Sequence, residues 1–162
     1  NREVRREVSK GTFAMDDVSS VVKLIQQHDI GVAANYIFGF PEDNYETMQQ
    51  TLDLALELNT EMCNMYPCQA LPGSPLHLKA KQEGWDLPDT YQGYGFLSYE
   101  TTPLATNYVS AAEVVRFRDD AWHKYHTSVP FLELIERKFG LEAKTGIEDL
   151  SKVKLKRRIL GD

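Results

Sequence analysis

The residues best placed to do chemistry fall in one short run, Asn35-Tyr36-Ile37-Phe38-Gly39-Phe40-Pro41-Glu42-Asp43. Branched and aromatic side chains come first, then a glycine, a proline and two carboxylates, the order expected of a strand that ends in a turn. The C-terminal end of a parallel strand is where α/β folds place ligands. Gly39 would let the backbone come close to a ligand, and Pro41 fixes the exit path. Glu42, Asp43 and Asn44 put carboxylate and amide groups at the rim. On residue types alone, the same run serves equally as a purely structural strand-turn-helix corner. A second set is Cys63, Cys68, His123 and His126. The histidines stand one helical turn apart and the four can be drawn as a zinc site, but neither spacing matches a ligand knuckle. Two cysteines are too few for a secreted disulfide framework, so free thiols in a reducing compartment are expected.

The elements around these residues alternate. Asp16 and Asp17 are expected to cap a helix with Val18, Val21, Val22 and Ile25 at helical spacing, ending near His28. Ile30 to Phe38 lacks strict alternation and predicts a strand buried on both faces of a parallel sheet. Asp43 and Glu46 suggest a capping box for a helix that buries Met48, Leu52, Ala55 and Leu56. A second strand is expected over about Glu61 to Pro67, then a helix opened by Ser74 and Pro75 and closed near Gly84. Such alternation with short connections argues for crossovers and a parallel sheet, and two strands need further strands to complete it.

Residues 85–109 form an irregular, aromatic connection containing Trp85, Tyr91, Tyr94, Phe96 and Tyr99. Ser110 and Glu113 make another capping box, for a helix burying Val114, Phe117, Ala121, Trp122 and Tyr125. A helix from about Pro130 to Phe139 is closed by Gly140. A last one is expected over Ile147 to Leu160, its cations near the C-terminus suiting the helix dipole.

With 162 residues, 42% hydrophobic and 26% charged, the chain has the composition of one ordinary globular domain. The net charge of -6 gives little support to a nucleic-acid partner. No apolar run reaches the length of a membrane span, and a cytoplasmic location is expected. The chain opens at Asn1, and Arg2 to Val8 reads as the interior of a helix, so the sequence is taken as a piece of something longer.

At the corner the sequence resembles the radical S-adenosylmethionine superfamily. The fifth barrel strand of that family carries Gly-x-Ile-x-Gly-x-x-Glu, and the run here is Asn35-x-Ile37-x-Gly39-x-x-Glu42, with Asn35 in place of the first glycine. Asn64-Met65-Tyr66-Pro67 followed by Leu71-Pro72-Gly73-Ser74-Pro75-Leu76 resembles the sixth strand and its exit. The resemblance implies an α/β fold: the C-terminal strands of a partial (β/α) barrel over residues 1–84, the connection 85–109, and a mainly helical extension 110–162. That extension resembles a subgroup often preceded by a cobalamin-binding domain, which makes cobalamin a candidate further cofactor.

By the same resemblance, cofactor-binding positions fall on Asn35, Ile37, Gly39, Glu42, Tyr66, Pro67, Cys68 and Gln69. Ile37 would pack on the adenine of S-adenosylmethionine, Tyr66 to Gln69 would meet it through backbone atoms, and Glu42 would shape the groove through hydrogen bonds. The implied 4Fe-4S cluster needs three cysteine thiolates. The family's Cys-xxx-Cys-xx-Cys does not occur in this sequence, so the ligands, and the partner half of the barrel, are expected N-terminal to it, and this segment alone is expected to be inactive. The substrate is expected to be a small molecule of unspecified kind. A non-catalytic docking or assembly module using the aromatic segment is the alternative. No Gly-x-Gly-x-x-Gly or phosphate loop supports another nucleotide-binding fold.

Overall fold

The computed structural model describes residues 15–162; the helix interior expected at Arg2 to Val8 lies outside them. Helix α1 is Met15–Gln27, strand β1 Ala33–Phe38, helix α2 Tyr45–Leu58, strand β2 Met62–Pro67 and helix α3 Pro75–Glu83. A 3-10 turn, Tyr91–Tyr94, lies in the aromatic connection. Helices α4 Ala111–His126, α5 Val129–Phe139 and α6 Leu141–Ser151 follow, then a second 3-10 turn, Arg158–Leu160. The fold class is α/β. Among the described residues the sheet has two strands, parallel, with Ala33 opposite Met62, Asn35 opposite Asn64 and Ile37 opposite Tyr66.

Burial along both strands alternates, which corrects the expectation of a strand covered on both faces. Tyr36, Phe38, Cys63 and Met65 turn to a covered face, while Ala33, Asn35, Ile37, Met62 and Asn64 are exposed. The reason is that, among the described residues, helices pack on one face only. Met48, Leu52 and Ala55 of α2, Val114, Ala121 and Tyr125 of α4, and Phe131 and Ile135 of α5 form one core with that face. The helices after residue 110 therefore complete the core begun by the strands. Ile30, expected to open β1, precedes the strand and is exposed.

The two sheet edges differ. Met62 and Cys68 donate their N–H groups to the Val32 and Phe38 carbonyls across the ladder, so odd-numbered residues of β2 point their backbone groups to the outer edge. There Arg118 Nε donates to the Met65 carbonyl at 2.7 Å, and α4 thereby closes that edge. The outer edge of β1 has no strand beside it among the described residues.

Several helix ends fall where local chemistry predicts. Ser74 accepts from His77 N–H with Pro75 at the first helical position, and Ser110 and Glu113 form a reciprocal capping box. At α2 the box is made by Asn44 and Thr47 rather than by Asp43 and Glu46. Asp43 is engaged elsewhere, as described below. The described part of α1 includes Asp16 and Asp17 inside the helix, where a cap had been expected.

The last expected helix is corrected most. Helix α6 begins directly after Gly140 and stops at Ser151, and the chain then runs extended into Arg157 at φ -135° and ψ 114°. A helix through Leu160 would have left Arg157 on a solvated cationic end. Instead its side chain is 0% exposed and forms two hydrogen bonds to the Asp119 carboxylate.

The Tyr125 hydroxyl donates to the Thr60 carbonyl at 2.7 Å, deep in the core. Tyr125→Phe leaves that carbonyl without its donor at nearly constant volume, so it should cost about 1–2 kcal/mol. Urea unfolding checks this: the midpoint should fall with an unchanged m-value.

Candidate functional site

The open face of the sheet gathers three of the residues singled out from sequence. Asn35 and Ile37 come from β1, and Tyr66 from β2 directly opposite Ile37. Ile37 is 42% exposed, an unusual degree of exposure for a branched side chain in a strand. Beside it Asn64 Nδ2 donates to Asn35 Oδ1 at 3.1 Å across the pair. The amides thus satisfy each other through one N–H and one C=O, leaving Asn35 Nδ2 and Asn64 Oδ1 for water or a ligand. Met62 and Ala33 continue the face toward the strand starts.

The corner at the strand end is built by Asp43. One of its carboxylate oxygens accepts from the Gly39 and Phe40 N–H groups at 3.1 and 3.0 Å, and the other accepts from Thr47 Oγ1 at 2.6 Å. Glu42, expected to shape the groove through hydrogen bonds, lies one residue earlier and is half-buried at the rim. Gly39 needs to be glycine twice over. Its φ is +86°, and a Cβ there would lie 2.5 Å from Val114 Cγ1.

The residues after β2 are packed rather than displayed. Pro67, Cys68 and Gln69 are all buried. Cys68 N–H donates to the Phe38 carbonyl, and its own carbonyl accepts from Leu104 N–H. Both main-chain groups expected to meet adenine at this position therefore already have partners within the chain. Gln69 Nε2 donates to the Gly93 carbonyl at 3.3 Å, and Gln69 Oε1 is buried with no partner among the described residues.

Both thiols are inert by environment. Burial pushes the Cys63 thiol up to about 12, against opposing effects of Tyr125 and Arg118. Burial pushes the Cys68 thiol up to about 12 as well, with the carboxylates of Asp43 and Glu42 adding to it. Thiolate is the form that binds iron or zinc, and among the described residues no three His, Cys, Asp or Glu side chains are grouped to hold a metal.

The aromatic connection divides. Tyr91 is exposed, whereas the Phe96 ring lies 4.8 Å from that of Tyr66, at the end of the open face. His126 stacks on Trp122 at 4.3 Å and, with Tyr125 and Phe131, belongs to the packed interior. Phe96 had been seen only as one of several aromatic residues, and Asp119 and Arg157 carried no signal that separated them from surface charges.

No family model matches the chain. The chain is 26% identical over 95 residues to bacteriochlorophyllide d C-12(1)-methyltransferase of Chlorobaculum tepidum, a match covering 56% of this chain and 21% of that protein. The chain thus spans about a fifth of the length of this curated relative. That partial similarity is to a methyltransferase. No described helix is long and apolar enough to cross a membrane.

Gly39→Ala should destabilise the protein by about 2–4 kcal/mol, adding left-handed strain to overpacking against Val114. Combining it with Val114→Ala should cost less than the sum of the two single changes, because the second substitution opens the space the first one needs. Chemical unfolding of the four proteins measures both.

Proposed function

We propose that this chain forms one wall of the S-adenosylmethionine groove of a radical S-adenosylmethionine enzyme. The observation that carries this reading is the placement of Asn35, Ile37 and Tyr66 on one open sheet face beside a corner where only glycine fits. Ile37 and the adjoining Tyr66–Phe96 pair offer flat apolar contact to a purine, and the Asn35 and Asn64 amides offer polar groups within the same face. The partial similarity to a bacteriochlorophyllide methyltransferase supports it.

Within this reading Ile37, Tyr66 and the Asn35 and Asn64 amides would hold the nucleoside of S-adenosylmethionine, and a 4Fe-4S cluster reduced by one electron would supply its reductive cleavage, with loss of methionine, for hydrogen abstraction from a small-molecule substrate. The residues of this chain fit the nucleoside and do not fit the cluster, since both thiols are buried and protonated. The three cluster cysteines would come from the remainder of the same protein. That remainder would also supply strands to the outer edge of β1 and complete a (β/α) barrel in the cytoplasm. Ile37 would press on one face of the adenine, Tyr66 and Phe96 would close the end of the groove and exclude water, and the Asp43 corner would hold Gly39 out of the ligand's way. Methyl transfer, with cobalamin as a further cofactor, is the first reaction to test, given the name of the relative.

A second reading, a non-catalytic docking module using the aromatic segment, draws also on the exposed sheet face. The two are separated with the intact gene product, purified without oxygen, reconstituted with iron and sulfide and reduced with dithionite. The enzyme reading expects 5'-deoxyadenosine from S-adenosylmethionine, and a loss of at least about tenfold for Ile37→Asp, which sets a charge against the purine face. A reconstituted protein showing neither a 4Fe-4S signal nor cofactor binding would leave the docking module.

A further inference from the structure

Arg157 is the largest fully buried side chain among the described residues, far from the corner in sequence and unexplained by the groove itself. Its Nε and Nη2 donate to the two oxygens of Asp119 at 2.9 and 2.8 Å. Its Nη1 donates to the Phe96 and Ser98 carbonyls at 3.3 and 3.0 Å and lies 3.3 Å from Thr101 Oγ1. The flanking tail reinforces the grip: Arg158 N–H donates to the Tyr99 carbonyl, and the Tyr99 hydroxyl to the Asp162 carbonyl.

The same Asp119 carboxylate accepts from Arg118 Nη1 at 2.8 Å, and Arg118 Nε holds the Met65 carbonyl, one residue before Tyr66. One carboxylate thus joins two guanidinium groups, and each guanidinium holds the backbone beneath or beside one member of the Tyr66–Phe96 ring pair. The strap carrying Phe96 is further tied to the strand end through Gly93, which accepts from both Thr102 N–H and the Gln69 amide.

We propose that Arg157 and Asp119 are positioning residues that hold Phe96 against Tyr66 as the aromatic end wall of the groove. This rests on the S-adenosylmethionine reading above for its ligand. It differs from a stapling role for the tail in one respect: Arg157 acts on binding through Phe96, so the two residues share a single effect. A planar fork that meets a carboxylate with two N–H groups while reaching two carbonyls is not replaced by a lysine ammonium.

The test uses the intact gene product, with S-adenosylmethionine binding measured by anaerobic equilibrium dialysis and exchange of the 93–101 amides by hydrogen–deuterium mass spectrometry. Arg157→Lys, Asp119→Asn and Phe96→Ala should each raise Kd about tenfold, the loss of one aromatic contact at the end wall. Arg157→Lys together with Phe96→Ala should bind no worse than Phe96→Ala alone, and both clasp variants should speed exchange at 93–101. Where Arg157→Lys does not fold, Asp119→Asn takes its place in the double variant. An unchanged Kd in folded clasp variants, or losses that multiply in the double variant, overturns the proposal. If the unaltered protein does not bind S-adenosylmethionine, the functional reading fails separately. Exchange then decides the clasp, faster exchange at 93–101 upholding it and unchanged exchange overturning it.

Discussion

The carboxylate of Asp119, shared between Arg118 and Arg157, is the contact on which the arrangement of this chain turns. Arg118 takes the outward-facing Met65 carbonyl of β2 and Arg157 takes the backbone of the aromatic strap, so α4 fixes both the sheet edge and what lies against its end. Such a site is costly to break. Asp119 is partly exposed but Arg157 is fully buried, so removing the carboxylate leaves a buried guanidinium without its counter-ion. Two cations share one carboxylate here, and the carbonyls of Met65, Phe96 and Ser98 supply the remaining partial negative charge.

With that edge closed, the other constraint is the one-sided packing of a parallel pair. Helices α2, α4 and α5 bury Phe38, Cys63 and Met65 and leave Ile37, Met62 and Asn64 uncovered. Apolar side chains exposed on a strand pair need a cover, and the same feature serves both the proposed remainder of a barrel and a ligand. Asp43 joins the covered and open faces: its bonds to Gly39 and Phe40 bring the chain over Val114 of α4 and end β1 where the open face begins.

The elements near the corner were legible because each is set by local chemistry. Ser74, Ser110 and the Gly84 and Gly140 stops need only their immediate neighbours to act, and all four do. Asp43 misled for a physical reason: a carboxylate one residue before Asn44 can cap a helix or satisfy the turn that precedes it, and the turn's two free N–H groups win. The alternation of β1 was hidden because the exposed positions Ala33 and Ile37 are apolar, as they would be in a strand buried on both faces. Arg157 sits among Lys154, Lys156 and Arg158, and nothing local tells which cation will meet a carboxylate 38 residues earlier. The burial of both cysteines was likewise hidden, since it depends on residues packed over them from elsewhere in the chain.

The proposed binding mode sets adenine on the open sheet face, against Ile37 and Tyr66. A crystal structure of the intact protein, grown without oxygen in the presence of S-adenosylmethionine, tests it most directly. The purine is expected in van der Waals contact, about 4 Å, with Ile37 and with the Tyr66–Phe96 end wall. Finding that face filled by side chains of another element, with the cofactor elsewhere, would contradict it.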